Sequence, residues 1–532
     1  MSQSGELIQG QSGLPVDNPT KSYWHREPSE KLLGHRTTKE LPRSADVVIV
    51  GSGITGSFAA HFLKEKRPDL NIVMLEAREA CWGATGRNGG HCQPAIYAAE
   101  PHIASFELRN FAFLKTLVAE LSIPCDWRST SGVHAFYSTP LFGRVRRAVD
   151  ALADAYPDLA ANVAVVARAE EGGSGGLGGT PAYLLEGERR GLTLSGLRVP
   201  DAAGAVVQWN AASLSPYKLV SFVLERLLAA NDNSGAGSFN LQTGTPATGL
   251  SAASPPASLG GSSSSSNRSS VWTVHTPRGT VSAPRVLLAT NAYTSHLLPS
   301  FADLIVPTRG QVSALEPPER PADPADPPLD IGHTYYVAGE PDNALERDDY
   351  LVQRPPPLAE LVFGGGRHHA AGRGVGVWDD GSIDEPVAWY LRGELGSVLD
   401  LSLRGPSSSS DPEKSAPAKK QDLQPTHEWT GIMGYSRDGH PYVGRVPSSL
   451  GGGDDGGLYL CAGYTGHGMP NAVLSAKAAV DMMYDGDGAE VDLPPEYELT
   501  EQRVAAARRV DEVAVMDAKG SLYADFGAMG GL

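Results

Sequence analysis

Residues 45–77 place a short apolar run, a glycine turn, a helical pattern and a second apolar run in unbroken succession. ADVVIVG (45–51) has the continuous apolar character of a strand buried on both faces. In SFAAHFLKEK (57–66), Phe58, Phe62 and Leu63 recur at helical spacing and share one side. NIVMLEA (71–77) is a second buried strand. Parallel strands demand a crossover between them, so these segments predict a βαβ unit and an α/β fold.

The turn into the helix reads Gly51-Ser52-Gly53-Ile54-Thr55-Gly56. In such a turn the first glycine makes the bend, the second admits a pyrophosphate, and the third lets helix and strand pack closely. The helix start, at Ile54 and Thr55, offers N–H groups and partial positive charge to phosphates. Glu76, followed by Ala77, ends the second strand roughly twenty residues beyond Gly56, the usual distance to the residue that binds ribose. A carboxylate there accepts hydrogen bonds from ribose hydroxyls and repels a 2′-phosphate. Adenine dinucleotide binding without that phosphate is the expectation.

A second glycine loop, GATGRNGGH (Gly83–His91), follows within a few residues. Glycine costs about 1 kcal/mol inside a helix or strand. Four of them in nine residues therefore mark a place where backbone must come close to something. NAD needs no second wall just past the ribose carboxylate, whereas the isoalloxazine ring of FAD does. Thr85, Gly86, Arg87, Asn88, Gly89, Gly90 and His91 are expected to form that wall, with Arg87 and Asn88 as polar donors near phosphate or ring.

The formal charge of −17 argues against nucleic acid, whose counterions a basic stripe must displace. It also argues against an anionic membrane surface. No run approaches the ~18 apolar residues of a membrane-spanning helix. Residues 1–43 lack the apolar stretch of a signal peptide, so cytoplasmic residence is expected. Cys81, Cys92, Cys125 and Cys461 form no CxxC pair and no Cys/His ligand spacing. They point to a reducing compartment and to no metal site, and are read as buried apolar residues. The 532 residues call for about two to four structural units.

Further segments carry a resemblance. LQTGTPATGL (241–250), VLLATNAY (286–293), PTRGQV (307–312), WTGIMGYSRDGHPYVG (429–444) and AGYTGHGM (462–469) follow one another in order. With the two glycine loops they resemble the D-amino-acid-oxidase-like superfamily of FAD-dependent oxidoreductases, from about Ala45 to Met483. The loop Gly83–His91 is most similar to that of gamma-glutamylputrescine oxidoreductases and their fungal relatives. The resemblance implies that backbone near Ala247 grips adenine and that Ala289, Thr290 and Asn291 form a second nucleotide-side turn. It implies that Gly463, Gly466, His467, Gly468 and Met469 belong to a loop closing over the flavin.

The implied architecture is a Rossmann-like FAD-binding domain interleaved with an antiparallel-sheet substrate domain. Residues 45–130, 241–300 and 426–490 are expected in the first, and 131–240 and 301–425 in the second. Residues 1–44 form an N-terminal extension and 491–532 a C-terminal tail, both wrapping the surface. The polar, glycine- and serine-rich stretches 170–179, 251–270, 404–421 and 451–457 read as enlarged surface loops.

The implied reaction is oxidation of a carbon–nitrogen bond of a small amine or amino acid to an imine. Molecular oxygen then reoxidises the flavin with release of hydrogen peroxide. Relatives of known substrate carry an arginine where Met433 stands and a lysine where Pro470 stands, so two carboxylate anchors are missing. Arg354, in DYLVQRPP (349–356), resembles another carboxylate-facing arginine. An amine without an alpha-carboxylate is favoured. Tyr335, Tyr336 and Tyr350 fall where relatives build a substrate lid and are candidates for an aromatic cage. Tyr336, Tyr350 and Arg354 are the expected substrate contacts, and His368 and His369 are candidates for the pocket mouth or for solvated loop positions. Some relatives tether the flavin through cysteine within the segment matched by 429–444, which here has none, so non-covalent FAD is expected. His91 and Cys92 are the alternative attachment points. A dehydrogenase or tailoring enzyme with another acceptor, and a non-catalytic flavoprotein, remain open.

Overall fold

The computed structural model describes residues 7–168, 192–232, 237–253, 271–318, 328–340, 347–403, 422–453, 456–485 and 491–509. The expected loops 170–179 and 404–421, most of 251–270, residues 454–455 of the loop 451–457 and the end of the tail lie outside them.

The strand Val47–Val50 lies inside a six-stranded sheet. The order is Tyr442–Arg445, Leu458–Ala462, Arg285–Leu288, Val47–Val50, Ile72–Leu75, Phe239–Gln242. All neighbours are parallel except the antiparallel edge Tyr442–Arg445. Side chains of Val47–Val50 and Ile72–Leu75 are buried on both faces, the reason their sequences show no alternation. Val47, Ile49 and Met74 join a core with Phe58, Phe62 and Leu63 of the helix Ile54–Lys66 and with the helices Pro216–Ala229 and Ala472–Asp485. Val48, Val50 and Leu75 pack on the opposite face with Trp272, Val274 and Val281. Those three belong to a three-stranded antiparallel sheet, Gly249–Ala253, Val271–Thr276 and Gly279–Ala283.

A nine-stranded sheet forms the other half. Its order is Pro425–Ser436, Ile305–Leu315, Leu361–Gly364, Asp348–Gln353, Thr334–Ala338, Arg128–Phe136, Gly204–Ser213 and His91–Cys92, with Val163–Ala167 also pairing Gly204–Ser213. Every pairing is antiparallel except Thr334–Ala338 beside Arg128–Phe136. This is the α/β fold with an antiparallel second sheet. Pro425–Ser436, placed by sequence mostly with the FAD-binding pieces, pairs instead along Ile305–Leu315 in the large sheet. His91–Cys92 does the same beside Ala212 and Ser213, so the second glycine loop carries the chain from one sheet to the other.

The N-terminal extension does more than wrap the surface. Tyr23 and Trp24 are buried, Ser22 Oγ donates to Gly86 O at 2.8 Å, and Trp24 Nε1 donates to Asn88 O at 2.6 Å. Thr20 N donates to Asp380 O at 2.8 Å. Among the described residues no helix is long and apolar enough to cross a membrane.

Candidate active site

A cavity of about 390 Å3 runs from the turn Gly51–Thr55 to the tyrosines of the large sheet. All cofactor residues expected from sequence line it except Gly56, Gly86, Gly90 and Gly463. Gly56 lies behind the wall, where a Cβ would come within 2.0 Å of Gly51 O, so helix and turn are packed backbone to backbone. Gly86 is crowded in the same way by Cys81 O at 2.0 Å.

Glu76 is held at the wall by short local bonds. Its Oε2 accepts from Ser52 N at 3.1 Å and Ser52 Oγ at 2.6 Å, and its Oε1 accepts from Arg78 N at 3.0 Å. The helix Ile54–Lys66 starts at Gly53, which has no side-chain cap. Instead Ile54 N donates to Thr85 Oγ1 at 3.0 Å, so the second glycine loop braces the helix start. A Cβ on Gly53 would meet Thr85 Oγ1 at 3.0 Å. A helix start with no side-chain cap of its own, an acidic side chain at the end of the second strand and a cradle that only glycine leaves open suit an adenine dinucleotide. Arg87 Nη1, buried on the same wall without a hydrogen-bond partner, adds donor capacity of the kind a flavin's polar edge and phosphates use, and His91 Nε2 there is unpartnered too.

Arg87 and Asn88 line the cavity and also make bonds within the protein. Arg87 Nε donates to Thr430 O at 2.8 Å and Nη2 to Thr20 Oγ1 at 2.8 Å, beside an ion pair with Asp380. Asn88 closes its own loop, donating to Thr85 O at 3.1 Å and accepting from Gly90 N at 2.8 Å. Trp429 Nε1 donates to Arg87 O at 2.7 Å, joining the long strand Pro425–Ser436 to the loop. The ring of Tyr350 lies directly on this loop, where a Cβ on Gly89 would be 2.1 Å from it.

On the opposite wall, Tyr336 and Tyr350 face each other across neighbouring strands and both line the cavity. Tyr335, one residue along, turns to the other face and donates to Ile331 O at 3.1 Å. Arg354 is not on the wall. It pairs with Asp126 at 2.8 Å, and its guanidinium carbon lies 4.8 Å from the Trp24 ring centroid. His368 and His369 are also off the wall, with ring centroids 5.1 and 4.4 Å from that of Tyr390.

The residue that does reach the cavity from that segment is Arg367, which sequence reading passed over for its histidine neighbours. Arg367 Nη2 lies 2.9 Å from Asp348 Oδ2, and its guanidinium carbon 5.4 Å from the Tyr435 ring centroid. The strand-ending glycines Gly364–Gly366 were the available signal, since Gly365 and Gly366 at φ +139° and +65° turn the chain back toward the site. Gln93, His134 and Tyr435 line the cavity as well and had no motif to announce them. Gln93 and Tyr97 both hydrogen-bond the His134 ring. Burial lowers His91 to about 4 and His134 to about 3, so both are neutral at pH 7.

Cys92 is buried away from the cavity wall, as are the other three cysteines. Burial raises all four thiols, Cys125 to about 11 and Cys461 to about 12. Among the described residues no group of three or more His, Cys, Asp or Glu side chains is arranged to hold a metal ion.

A glycine-cradled helix start on a parallel sheet, a second glycine wall and an antiparallel sheet closing the same cavity define a dinucleotide-dependent flavoenzyme. The family model described as DAO, FAD dependent oxidoreductase, matches residues 46–482, and the chain belongs to that family. It is an FAD-dependent oxidoreductase, and FAD is its cofactor. The glycine oxidase of Geobacillus kaustophilus is 17% identical with a TM-score of 0.58, covering 86% of this chain and 99% of that one. An L-amino acid deaminase of Proteus vulgaris is 15% identical with a TM-score of 0.58, covering 89% and 98%. NikD, an amino acid oxidase essential for nikkomycin biosynthesis, is 15% identical with a TM-score of 0.56, covering 84% and 96%. These likenesses are of fold. Among curated proteins, a probable malate:quinone oxidoreductase of Bordetella avium is 47% identical over 45 residues, which span 8% of this chain and 9% of that protein.

Proposed function

We propose that the protein binds FAD non-covalently and oxidises the C–N bond of a small amine or amino acid to the imine. Molecular oxygen takes the two electrons and two protons, leaving as hydrogen peroxide. What supports this reading is one cavity in which the glycine cradle faces Tyr336, Tyr350, Tyr435 and the Arg367–Asp348 pair. FAD supplies the hydride-accepting ring when bound. The tyrosine wall excludes water and disfavours a charged amine, so substrate nitrogen is brought toward its reactive neutral form. Arg367 offers an anionic group on the substrate a charge-assisted anchor in place of those absent at Met433 and Pro470. Asp348 fixes the guanidinium plane. Substrates bearing an anionic end are therefore preferred over plain amines, a revision of the expectation drawn from the two missing anchors.

The likeness of the loop Gly83–His91 to that of gamma-glutamylputrescine oxidoreductases supports an amine or amino-acid substrate, the cysteine pattern supports a cytoplasmic enzyme, and the acidic charge balance argues against nucleic-acid or membrane partners. The test is anaerobic addition of amino acids and polyamines to the purified holoenzyme, followed by air. Loss of the visible flavin bands and peroxide on re-aeration is the expected result. Bleaching without peroxide would mean a dehydrogenase with another acceptor, and no bleaching by any compound would sink the catalytic reading.

A further inference from the structure

The loop over the cavity is pinned from outside by one helix. On Pro101–Glu120, Asn110 Nδ2 donates to Met469 O at 3.1 Å, and Asn110 Oδ1 accepts from Leu474 N at 2.9 Å. One turn earlier on the same face stands Glu107, its side chain 3% exposed. Its Oε2 lies 2.9 Å from Nε2 of His467 and accepts from Ala95 N at 2.6 Å, while Oε1 accepts from Asn471 Nδ2 at 2.8 Å. Asn471 Oδ1 in turn accepts from Tyr497 OH at 2.9 Å. Three hydrogen-bond partners thus surround the buried Glu107 carboxyl. His467 itself lines the cavity, and its backbone N–H is tied to Tyr464 O at 2.8 Å.

Three features single this imidazole out. It faces the cavity, it has a buried carboxylate on one ring nitrogen, and that carboxylate is held by bonds independent of the histidine. His91 and His134, on the same wall, are kept neutral by burial and by the charge His467 would carry. A proton placed on His467 is thus compensated by Glu107, whereas one placed on either neighbour is not.

We propose that Glu107 and His467 are the proton-holding pair of the cavity, resting on the amine-oxidation reading. His467, with its Nε2–H given to Glu107, takes on Nδ1 the proton that a substrate ammonium must lose. The N–H bond breaks, its electron pair stays on the substrate nitrogen as the lone pair, and the imidazole becomes imidazolium beside the carboxylate. No oxidant enters this step. His467 is the catalytic residue, and Glu107 is a positioning residue that fixes the tautomer and stabilises the charge. The titratable groups facing the pair are His91, His134, Cys92 and Tyr497, with His440 beyond Tyr497.

The experiment uses FAD-loaded wild type, E107Q and H467Q, with flavin content checked by absorbance. In the first arm the probe is sulfite, which adds to oxidised flavin and binds more tightly when a cation is near. Its affinity in wild type is expected to fall through a one-proton step as pH rises. That step should vanish in H467Q and move down by about one pH unit in E107Q, which keeps the side-chain shape but loses the charge. In the second arm, glycine, L-proline and putrescine are mixed anaerobically with each protein and flavin reduction is timed. For any of these that reduces wild type, the rate at neutral pH should drop about 100-fold in H467Q, with its pH profile displaced in E107Q. The same sulfite step in H467Q, or an undisplaced step in E107Q, would overturn the proposal. Inertness of wild type toward all three amines would instead count against the amine reading, and the sulfite arm would still decide the pair.

Discussion

Arg87 and Asp380 meet at 3.0 Å in the interior, with side-chain exposures of 1% and 0%. The other oxygen of Asp380 takes Arg78 Nη1 at 2.9 Å, so one buried carboxylate is shared by two guanidiniums. Burial lowers Arg87 to about 10 despite Asp380, and Arg78 nearby pushes the same way. The two arginines come from the chain just after the second strand, and Asp380 from residues about three hundred positions later, so the pair fastens the second glycine loop to the segment preceding the helix Glu385–Val398.

Removing that carboxylate takes away the ion-pair partner that two buried cations share. Asp380→Asn is expected to lower the unfolding free energy by about 3–5 kcal/mol. Urea unfolding of the variant and wild type, both FAD-loaded, measures this. A loss under about 1 kcal/mol would mean that solvent reaches the cluster.

The cradle at Gly53 is expected to tolerate no side chain. Gly53→Val places a branched group against Thr85 Oγ1, which already braces Ile54 N, and fills the space at the helix start. The variant should purify folded but without flavin colour, read from its absorbance spectrum beside its far-ultraviolet circular dichroism. A fully loaded Gly53→Val protein would remove the pyrophosphate from this turn.

Two arginines separate substrate binding from scaffold. Arg367→Gln should raise KM for an anionic substrate about 10- to 100-fold, the loss of one charge-assisted bond. Arg354→Gln should leave KM and kcat unchanged while costing about 1–2 kcal/mol of stability through Asp126 and Trp24. Steady-state kinetics with paired urea curves distinguish the two, and the opposite pattern would restore Arg354 to the pocket.

Acid should destabilise the fold through its buried histidines. Burial lowers His25 to about 3, His91 to about 4 and His134 to about 3, against 6.5 in an open chain. Folded values below the unfolded one mean that the unfolded chain takes up more protons as pH falls, so stability drops from pH 6.5 toward 4. Asp349 acts in the opposite sense. Burial raises it from 3.8 to about 7, so the folded state gains its proton first and a penalty present above pH 7 is relieved on acidification. Each group contributes at most about 1.4 kcal/mol per pH unit, and His61, His296, His333, His427 and His440, also lowered by burial, act with the three against Asp349. Urea midpoints should therefore fall between pH 6.5 and 5. His91→Asn, which removes a ring whose Nε2 has no partner, should flatten the slope by one proton, and an unchanged slope would contradict this.

The βαβ unit, the glycine turn and the carboxylate at the end of the second strand were legible in the sequence because each is local. An apolar strand buried on both faces, a helix start and a bend each need only a few adjacent residues to specify them, and Val47–Val50, Ile54–Lys66 and Glu76 stand where those patterns put them. Even the second glycine loop that lines the cavity was announced locally, by glycines that let Tyr350 and Thr85 come close. Tyr336 and Tyr350 were reachable through a resemblance of segments, not through any pattern of their own.

What faces the substrate was decided by pairing and burial over long separations. Whether Tyr335 or Tyr336 enters the cavity depends on strand register, since neighbouring side chains take opposite faces. Arg354 and Arg367 are both basic residues after strands, yet one finds Asp126 and Trp24 while the other finds Asp348 and Tyr435. Glu107 lies on a helix 360 residues from His467 and carries no motif at all. Sequence alone determined the cofactor and the frame that holds it, because short-range patterning dictates backbone. Only the tertiary structure decided which charges share the cavity, because the cost of burying a charge is settled by partners brought from distant parts of the chain.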